Sequence, residues 1–355
     1  MADFEGKIYD IAIIGGGPVG LFAAFYAGMR GASTIIADSL EELGGELMAI
    51  YPEKYIYDIA GFPAVLAKDY VEPAIEQALS MGAEVTLRTE VTGLTRDDDE
   101  NLIYLDTTRG RIVARTVIIC AGIGAFEPKR LEVEGIERFE GGKGVHYFAK
   151  RIEDFRDKRV LIVGGGDSAV DWAVTLGPIA KHVTLIHRSK FRAHEHTVKQ
   201  LLDGPADVFF PGYVATAVHG DERLEAVTYQ NTETGEETTI EVDEMICAIG
   251  FKADLGPLKT WGLETERNQI VVDKITMQTN IPGVFGAGDI VTYPAKFRLI
   301  ATGVAEAVTA VNHAVIHYNP DARLDPGHST NIMEKKAREA EKAARAREAV
   351  AASDD

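Results

Sequence analysis

The apolar positions of this chain change period in an order that occurs twice. Ile11-Ala-Ile-Ile14 is a continuous apolar run of strand length. It meets three glycines, Gly15 to Gly17, and then Pro18-Val-Gly-Leu-Phe-Ala-Ala24, which reads as a buried helix. A β-branched run, Ala32-Ser-Thr-Ile-Ile-Ala37, follows. The same order returns 149 residues later: Val160 to Val163, Gly164 to Gly166, a helical pattern through Ala173, then His182-Val-Thr-Leu-Ile186. Strand, glycine turn, helix and strand open a nucleotide-binding βαβ unit. Residues Ile11 to Met29 are uncharged for 19 positions, close to membrane-spanning length. The glycines and Pro18 break that run into strand, turn and helix instead.

Shorter strands fill the rest. Residues 84–88, 101–106 and 111–115 read as antiparallel hairpin material, as do 226–230 and 237–241. Each set ends in an apolar strand that closes on glycine, Val117 to Gly122 and Met245 to Gly250. The acidic run Asp97 to Glu100 reads as a solvated hairpin tip. From Glu334 the chain is almost wholly Ala, Glu, Lys and Arg without an apolar stripe. It reads as a frayed solvated helix or a disordered tail.

Composition narrows the function. Of 355 residues, 46% are hydrophobic and 26% charged, which fits a globular protein of one or two domains. With 37 Lys+Arg against 55 Asp+Glu the formal charge is −18, which argues against nucleic acid and against an anionic membrane surface. The start lacks the positive region of a secretory signal, and the two cysteines, Cys120 and Cys247, sit in apolar runs as buried strand residues. A cytoplasmic protein without a membrane segment is expected. No Cys-x-x-Cys exists, which excludes a dithiol centre within the chain. No metal site is expected either: His194-Glu-His196 has spacing i, i+2, which does not place two ligands on one helix face. Ser168 lies in Gly-Asp-Ser-Ala rather than in a nucleophile elbow, and should make a contact at its helix N-terminus.

The glycine turns carry the chemistry. Gly15-x-Gly17-x-x-Gly20 permits a tight turn and close approach to a pyrophosphate seated on the helix N-terminus behind Pro18. Asp38 ends the next strand, 18 residues beyond Gly20; a carboxylate there accepts ribose hydroxyls and repels a 2′-phosphate, favouring FAD or NAD over NADP. A distant motif, Val284-Phe-Gly286-Ala-Gly288-Asp289, decides for FAD, with Asp289 meeting the ribityl hydroxyls. The second copy, Gly164-x-Gly166-x-x-Ala169, has no acidic counterpart of Asp38. Its following strand ends His187-Arg-Ser-Lys-Phe-Arg192, with Arg188, Lys190 and Arg192 within five residues, which suits the 2′-phosphate of NADPH. The fold class is therefore α/β: two Rossmann-like FAD/NAD(P)-binding domains, each with a small antiparallel β layer. The NADPH domain (residues 125–250) is inserted in the FAD domain (residues 1–124 and 251–333), and 334–355 form a charged tail. Rotation about linkers near Gly124 and Gly250 is expected.

This order resembles the two-domain pyridine-nucleotide flavoproteins that include low-molecular-weight thioredoxin reductase, but the region where those carry Cys-x-x-Cys is Gly144-Val-His-Tyr-Phe-Ala-Lys150 here. The chain more closely resembles ferredoxin–NADP reductases of the thioredoxin-reductase-like type over residues 7–333. The marks are Gly44-Gly45-Glu46-Leu47, Tyr51 to Asp58, Ala60-Gly-Phe-Pro63, Gly164 to Asp171, Lys190 to Glu195 and His328-Ser-Thr330. The resemblance implies FAD contacts from Asp38, Gly45, Glu46, Tyr51, Asp58, Val91, Gly122, Phe126, Asp289 and Thr330. Tyr51 would stack on one isoalloxazine face, His328 would cover the other, and Ser329 would lie near N5. It implies NADPH contacts from Asp167, Ser168, His187, Arg188 and Arg192. It further implies a homodimer whose C-terminal extension serves either its own or the partner subunit, with ferredoxin or flavodoxin as electron acceptor. Two departures stand out: Glu46 replaces the usual Gln, and the His187 to Arg192 run is one residue short. Since ferredoxins are usually acidic, a basic patch is needed on this acidic chain, and Lys54, Lys296 and Arg298 are its candidates. Rival readings are an NADPH flavoreductase for quinones, small disulfides or ferric chelates, and a non-catalytic flavin-binding redox sensor.

Overall fold

A computed structural model describes residues 4–149, 151–334 and 337–338, with 125–127 and 252–253 described in backbone only. The charged tail therefore lies almost wholly outside the described residues. The chain forms two compact units. One comprises Met1–Glu46, Ile56–Gly124 and Leu255–Asp355; the other comprises Leu47–Tyr55 and Ala125–Asp254.

The first unit is built on Ile8–Ile14, a strand whose second half, Ile11 to Ile14, is buried on both faces as its continuous apolar run predicts. It pairs in parallel with Thr34–Ala37 (Ile14 opposite Ala37) and with Gly110–Ile119 (Ile14 opposite Ile119). Val284–Gly286 adds a further parallel strand alongside Val117 to Ile119. The helix Pro18–Met29 starts with proline in its first turn and lays Leu21, Ala23, Ala24, Ala27 and Gly28 into the core. Small residues there let it approach closely: a Cβ on Gly28 would stand 2.4 Å from that of Met81. Val91–Asp97, Leu102–Thr107 and the first half of Gly110–Ile119 form the antiparallel layer. Between the first two, Asp97 accepts the amides of Asp99 and Glu100 in the exposed tip expected there.

Two sequence expectations need correction. Glu84–Thr86 is not hairpin material; it extends the parallel sheet beside Thr34–Ala37, with Val85 opposite Ile36. It ends at Thr86, and Arg88 two residues on has a positive φ of 52°, which turns the chain before the antiparallel layer begins. The runs 111–115 and Val117 to Gly122 are not two strands but one, Gly110–Ile119. It pairs antiparallel with Leu102–Thr107 at its start and parallel with Val284–Gly286 at its end.

The second unit carries a five-stranded parallel sheet in the order Val145–His146, Glu244–Cys247, Arg159–Val163, His182–Ile186, Asp207–Phe209. Helix Asp167–Leu176 buries Val170, Trp172, Ala173 and Leu176 against it. Tyr213–His219, Ala226–Asn231 and Glu237–Glu241 make the expected antiparallel layer. Ala125–Pro128 and Phe251–Asp254 pair as a two-stranded ribbon, Ala125 opposite Asp254. Cys120 and Cys247 are both buried, the first in one unit and the second in the other, and burial raises both thiols, that of Cys247 to about 12.

The inserted sheet is tied at one end by charge. Asp243 accepts the Arg159 amide at 2.8 Å and its Nη2 at 2.6 Å, and these bonds hold the carboxyl at about 2, below its ordinary 3.8. The stabilisation is fully present above pH 4 and is lost as pH falls through 2. Asp243→Asn should lower the urea midpoint at pH 7, and the gap from wild type should shrink as pH falls from 4 to 2. A gap independent of pH would show that the ion pair is not its source.

Candidate functional site

In the first unit the glycine turn is defined by what a side chain would strike. Gly15 has φ +102°, and a Cβ there would meet the Cys120 carbonyl oxygen at 2.4 Å. A Cβ on Gly20 would meet the Gly15 carbonyl oxygen at 1.9 Å. Gly17 is the helix N-cap without a side-chain cap, so the amides of the first turn remain for a ligand. Gly45, at φ +59°, packs on the same turn: its Cβ would be 2.9 Å from Gly17 Cα. Asp38 is 6% exposed and accepts the amides of Gly16 at 2.6 Å and Leu40 at 2.8 Å. Burial raises its pKa, and those two bonds oppose the rise.

The distant Gly286 to Asp289 motif comes to this turn. Gly288, at φ +84°, approaches Val19 of the first helix so closely that a Cβ would lie 3.3 Å from the Val19 side chain. Gly303, in the first turns of helix Ile300–Tyr318, faces both Val19 and Gly288. Asp289 is half-buried, and its carboxylate has no hydrogen-bond partner among the described residues; burial raises its pKa against the opposing charges of Lys296 and Arg298. An unpartnered carboxylate beside a glycine turn and an uncapped helix N-terminus fits the ribityl–pyrophosphate part of FAD. Val91 is buried at the start of its strand and Gly122 has φ +59°, whereas Asp58, His328, Ser329 and Thr330 are exposed. Glu46 opens the short helix Glu46–Ile50.

The second unit holds a cleft of about 1070 Å³ lined by Gly164 to Ser168, His187, Arg188 and Arg192, with Pro128 to Glu132 and Ala248 to Gly250. The turn repeats the geometry of the first: a Cβ on Gly164 would lie 2.2 Å from the Ala248 carbonyl oxygen and 2.9 Å from the Ala169 Cβ. Gly166 caps helix Asp167–Leu176 without a side-chain bond. Asp167 accepts the His194 amide at 3.0 Å. Arg188 and Arg192 are exposed, and neither guanidinium has an ion-pair partner among the described residues. Two free guanidiniums on one rim fit a phosphomonoester. His187 is buried under Gly165, whose Cβ would strike its ring, and burial lowers its pKa. A neutral ring lying under the turn supports the backbone there, while the two arginines supply the charge.

Several residues stand where the sequence did not put them. Tyr51 groups with the second unit, and its hydroxyl is 2.7 Å from Ser168 Oγ, so the Ser168 hydroxyl is engaged by a side chain within the first helical turn. Phe126 falls in the ribbon of the second unit. Of the three candidates for a basic patch, Lys296 is withdrawn by burial, and Lys54 and Arg298 are exposed but engaged by neighbours. Lys296 is 5% exposed and ion-paired with Glu306, Lys54 is paired with Asp171 at 2.7 Å, and Arg298 donates to Gln269. Lys129, on the cleft rim, was missed because a lone lysine before Arg130 carries no motif. Glu306, the one charged residue in helix Ile300–Tyr318, was missed as well; a carboxylate alone in an apolar helix was the available signal.

The comparisons with known proteins agree with this geometry. The pyridine nucleotide-disulphide oxidoreductase family model matches residues 9–314. A protein from Halalkalibacterium halodurans named ferredoxin–NADP reductase is 49% identical over 328 residues, 92% of this chain and 98% of its own length. One from Bacillus velezensis, named ferredoxin–NADP reductase 2, is 48% identical over 332 residues, 93% of this chain and 99% of its own. Among solved structures, Lactococcus lactis thioredoxin reductase superposes with TM-score 0.72 at 28% identity, covering 87% of this chain and 98% of that one. The T. acidophilum thioredoxin reductase gives 0.72 at 27% identity, covering 89% and 100%. Two glycine-turn sites, one ending its second strand in a buried Asp and the other in free arginines, together with these matches, show that the chain belongs to the pyridine nucleotide-disulphide oxidoreductase family, within its ferredoxin–NADP reductase branch.

Proposed function

We propose that this chain is an NADPH-dependent, FAD-containing oxidoreductase that delivers electrons to ferredoxin, with flavodoxin as an alternative acceptor. One observation carries the reading: the chain has two nucleotide turns of the same geometry but opposite charge, a buried Asp38 in one and exposed Arg188 and Arg192 in the other. The curated relatives bear the matching name.

FAD belongs to the first unit, held by Gly15, Gly17, Pro18, Gly20, Gly45 and Gly122, with Asp38 on the adenosine ribose and Asp289 on the ribityl chain. Glu46, Asp58, Val91, Phe126 and Thr330 complete its contacts on the family pattern. Tyr51 and His328 would cover the two ring faces and exclude water, and Ser329 would lie near N5. NADPH belongs to the second unit, on Gly164, Gly166, Asp167, Ser168 and Ala169, over His187, with Arg188 and Arg192 on the 2′-phosphate. FAD, when bound, supplies the exchange between a two-electron hydride donor and a one-electron acceptor. The chain's own residues bind, orient and shield. They provide no dithiol relay, because Cys120 and Cys247 are buried in different units. The exposure of His328, Ser329 and Thr330 supports a homodimer in which this segment serves the partner. No helix among the described residues is long and apolar enough to cross a membrane, and two unpaired cysteines suit a reducing cytoplasm.

The purified chain should be yellow, bleach on anaerobic addition of NADPH, and reduce cytochrome c faster when ferredoxin is present. NADPH oxidation with quinones or ferric chelates but no ferredoxin dependence would instead assign it as a flavoreductase. No NADPH oxidation above that of free flavin would leave a binding protein. Arg188→Ala and Arg192→Ala should each raise the KM for NADPH roughly tenfold or more, the effect of losing a charge-assisted hydrogen bond, with little change for NADH. Equal losses for both nucleotides would remove the 2′-phosphate assignment. Gly20→Ala, whose Cβ meets the Gly15 carbonyl oxygen at 1.9 Å, should yield a colourless protein that still binds NADP+ in calorimetry.

A further inference from the structure

Glu306 is 4% exposed and makes three contacts. Its Oε2 accepts the Gly288 amide at 2.8 Å; its Oε1 accepts the Tyr293 hydroxyl at 2.6 Å and the Lys296 ammonium. The amides of residues 287–291 divide accordingly. Ala287 donates to the Ile119 carbonyl at 3.0 Å, Gly288 to Glu306, and Val291 to the Gly288 carbonyl at 3.2 Å. The amides of Asp289 and Ile290 have no partner among the described residues, although Ile290 is 1% exposed. A buried amide is seldom left unmet, so the Ile290 donor points to a ligand, with the half-buried Asp289 donor next to it.

We propose that Glu306 is the positioning residue of this turn. By taking the Gly288 amide inward, it leaves the Asp289 and Ile290 amides and the Asp289 carboxylate facing outward as one ligand-binding edge. Lys296 neutralises it, so that the Glu306 carboxylate itself adds no net buried charge beside an anionic cofactor. The proposal rests on the reading that FAD occupies the first unit; it adds a residue that touches no cofactor and acts through the backbone.

The test uses the full chain stripped of flavin and titrated with FAD by fluorescence quenching. Two double variants are compared, Lys296→Met with Glu306→Gln and Lys296→Met with Glu306→Leu. Both remove the charges at similar volume, but only the glutamine keeps an oxygen for the Gly288 amide. The glutamine variant should bind FAD within about threefold of wild type, and the leucine variant about tenfold or more weaker, as for an orphaned buried donor. The absorption band of bound flavin should shift only in the leucine variant. Hydrogen exchange supplies the second readout in case the leucine variant binds no flavin at all: the Gly288 amide should be protected in wild type and in the glutamine variant and exchange faster in the leucine variant. Equal FAD affinity and equal exchange in the two variants would overturn the proposal. If wild type binds no FAD, or if Asp289→Ala and Gly20→Ala leave binding intact, the underlying reading falls instead.

Discussion

The constraint on which both units rest is the absence of a Cβ where a strand turns into a helix. At Gly15 and again at Gly164 the backbone passes so near the carbonyl of the neighbouring strand that any side chain would collide, with Cys120 in one case and Ala248 in the other. The close passage lets the helix begin directly at the sheet edge. Its first amides then point at whatever sits above the turn, and no side chain caps them in either copy. The apolar strands, the alanine-rich helix face and the cleft follow from keeping that approach tight.

The two copies share this geometry and differ in charge. In the first, the second strand delivers Asp38 into a buried position where it is held by two backbone amides, so it presents acceptors and no positive charge. In the second, the same place is taken by His187, which fills the space beneath Gly165, and the residues that follow turn two guanidiniums into solvent. The Arg192 amide donates to the Gly165 carbonyl at 2.8 Å, which fixes the loop from His187 to Arg192 under the turn, and both guanidiniums are exposed.

Much of this was legible in the sequence because it is local. The period change from strand to helix, the glycine triplets and the charge of the second strand's end all lie within 30 residues of each other, and each has a single physical cause. What was not legible is long-range or two-sided. Glu84–Thr86 is too short for its pattern to tell a parallel edge strand from a hairpin arm. The strand Gly110–Ile119 changes partners midway, which the alternation of its residues does not record. Lys296 reads as a surface cation because nothing beside it in the sequence offers a partner, yet it is buried against a carboxylate ten residues further on. Tyr51 shows the same limit: its sequence neighbours place it near one glycine motif, but its hydroxyl meets a serine 117 positions away.

The ribbon of Ala125–Pro128 with Phe251–Asp254 has a practical consequence. Ala125 and Asp254 stand opposite each other, so the chain leaves for the inserted α/β unit and comes back from it across one rung of β-structure, about 5 Å wide. A segment whose ends lie that close can be spliced into a loop of another protein without stretching its host. Such a junction lets the chain of one nucleotide-binding unit interrupt that of another, and it marks the rung at which a chimaera with a different reductant specificity should be cut.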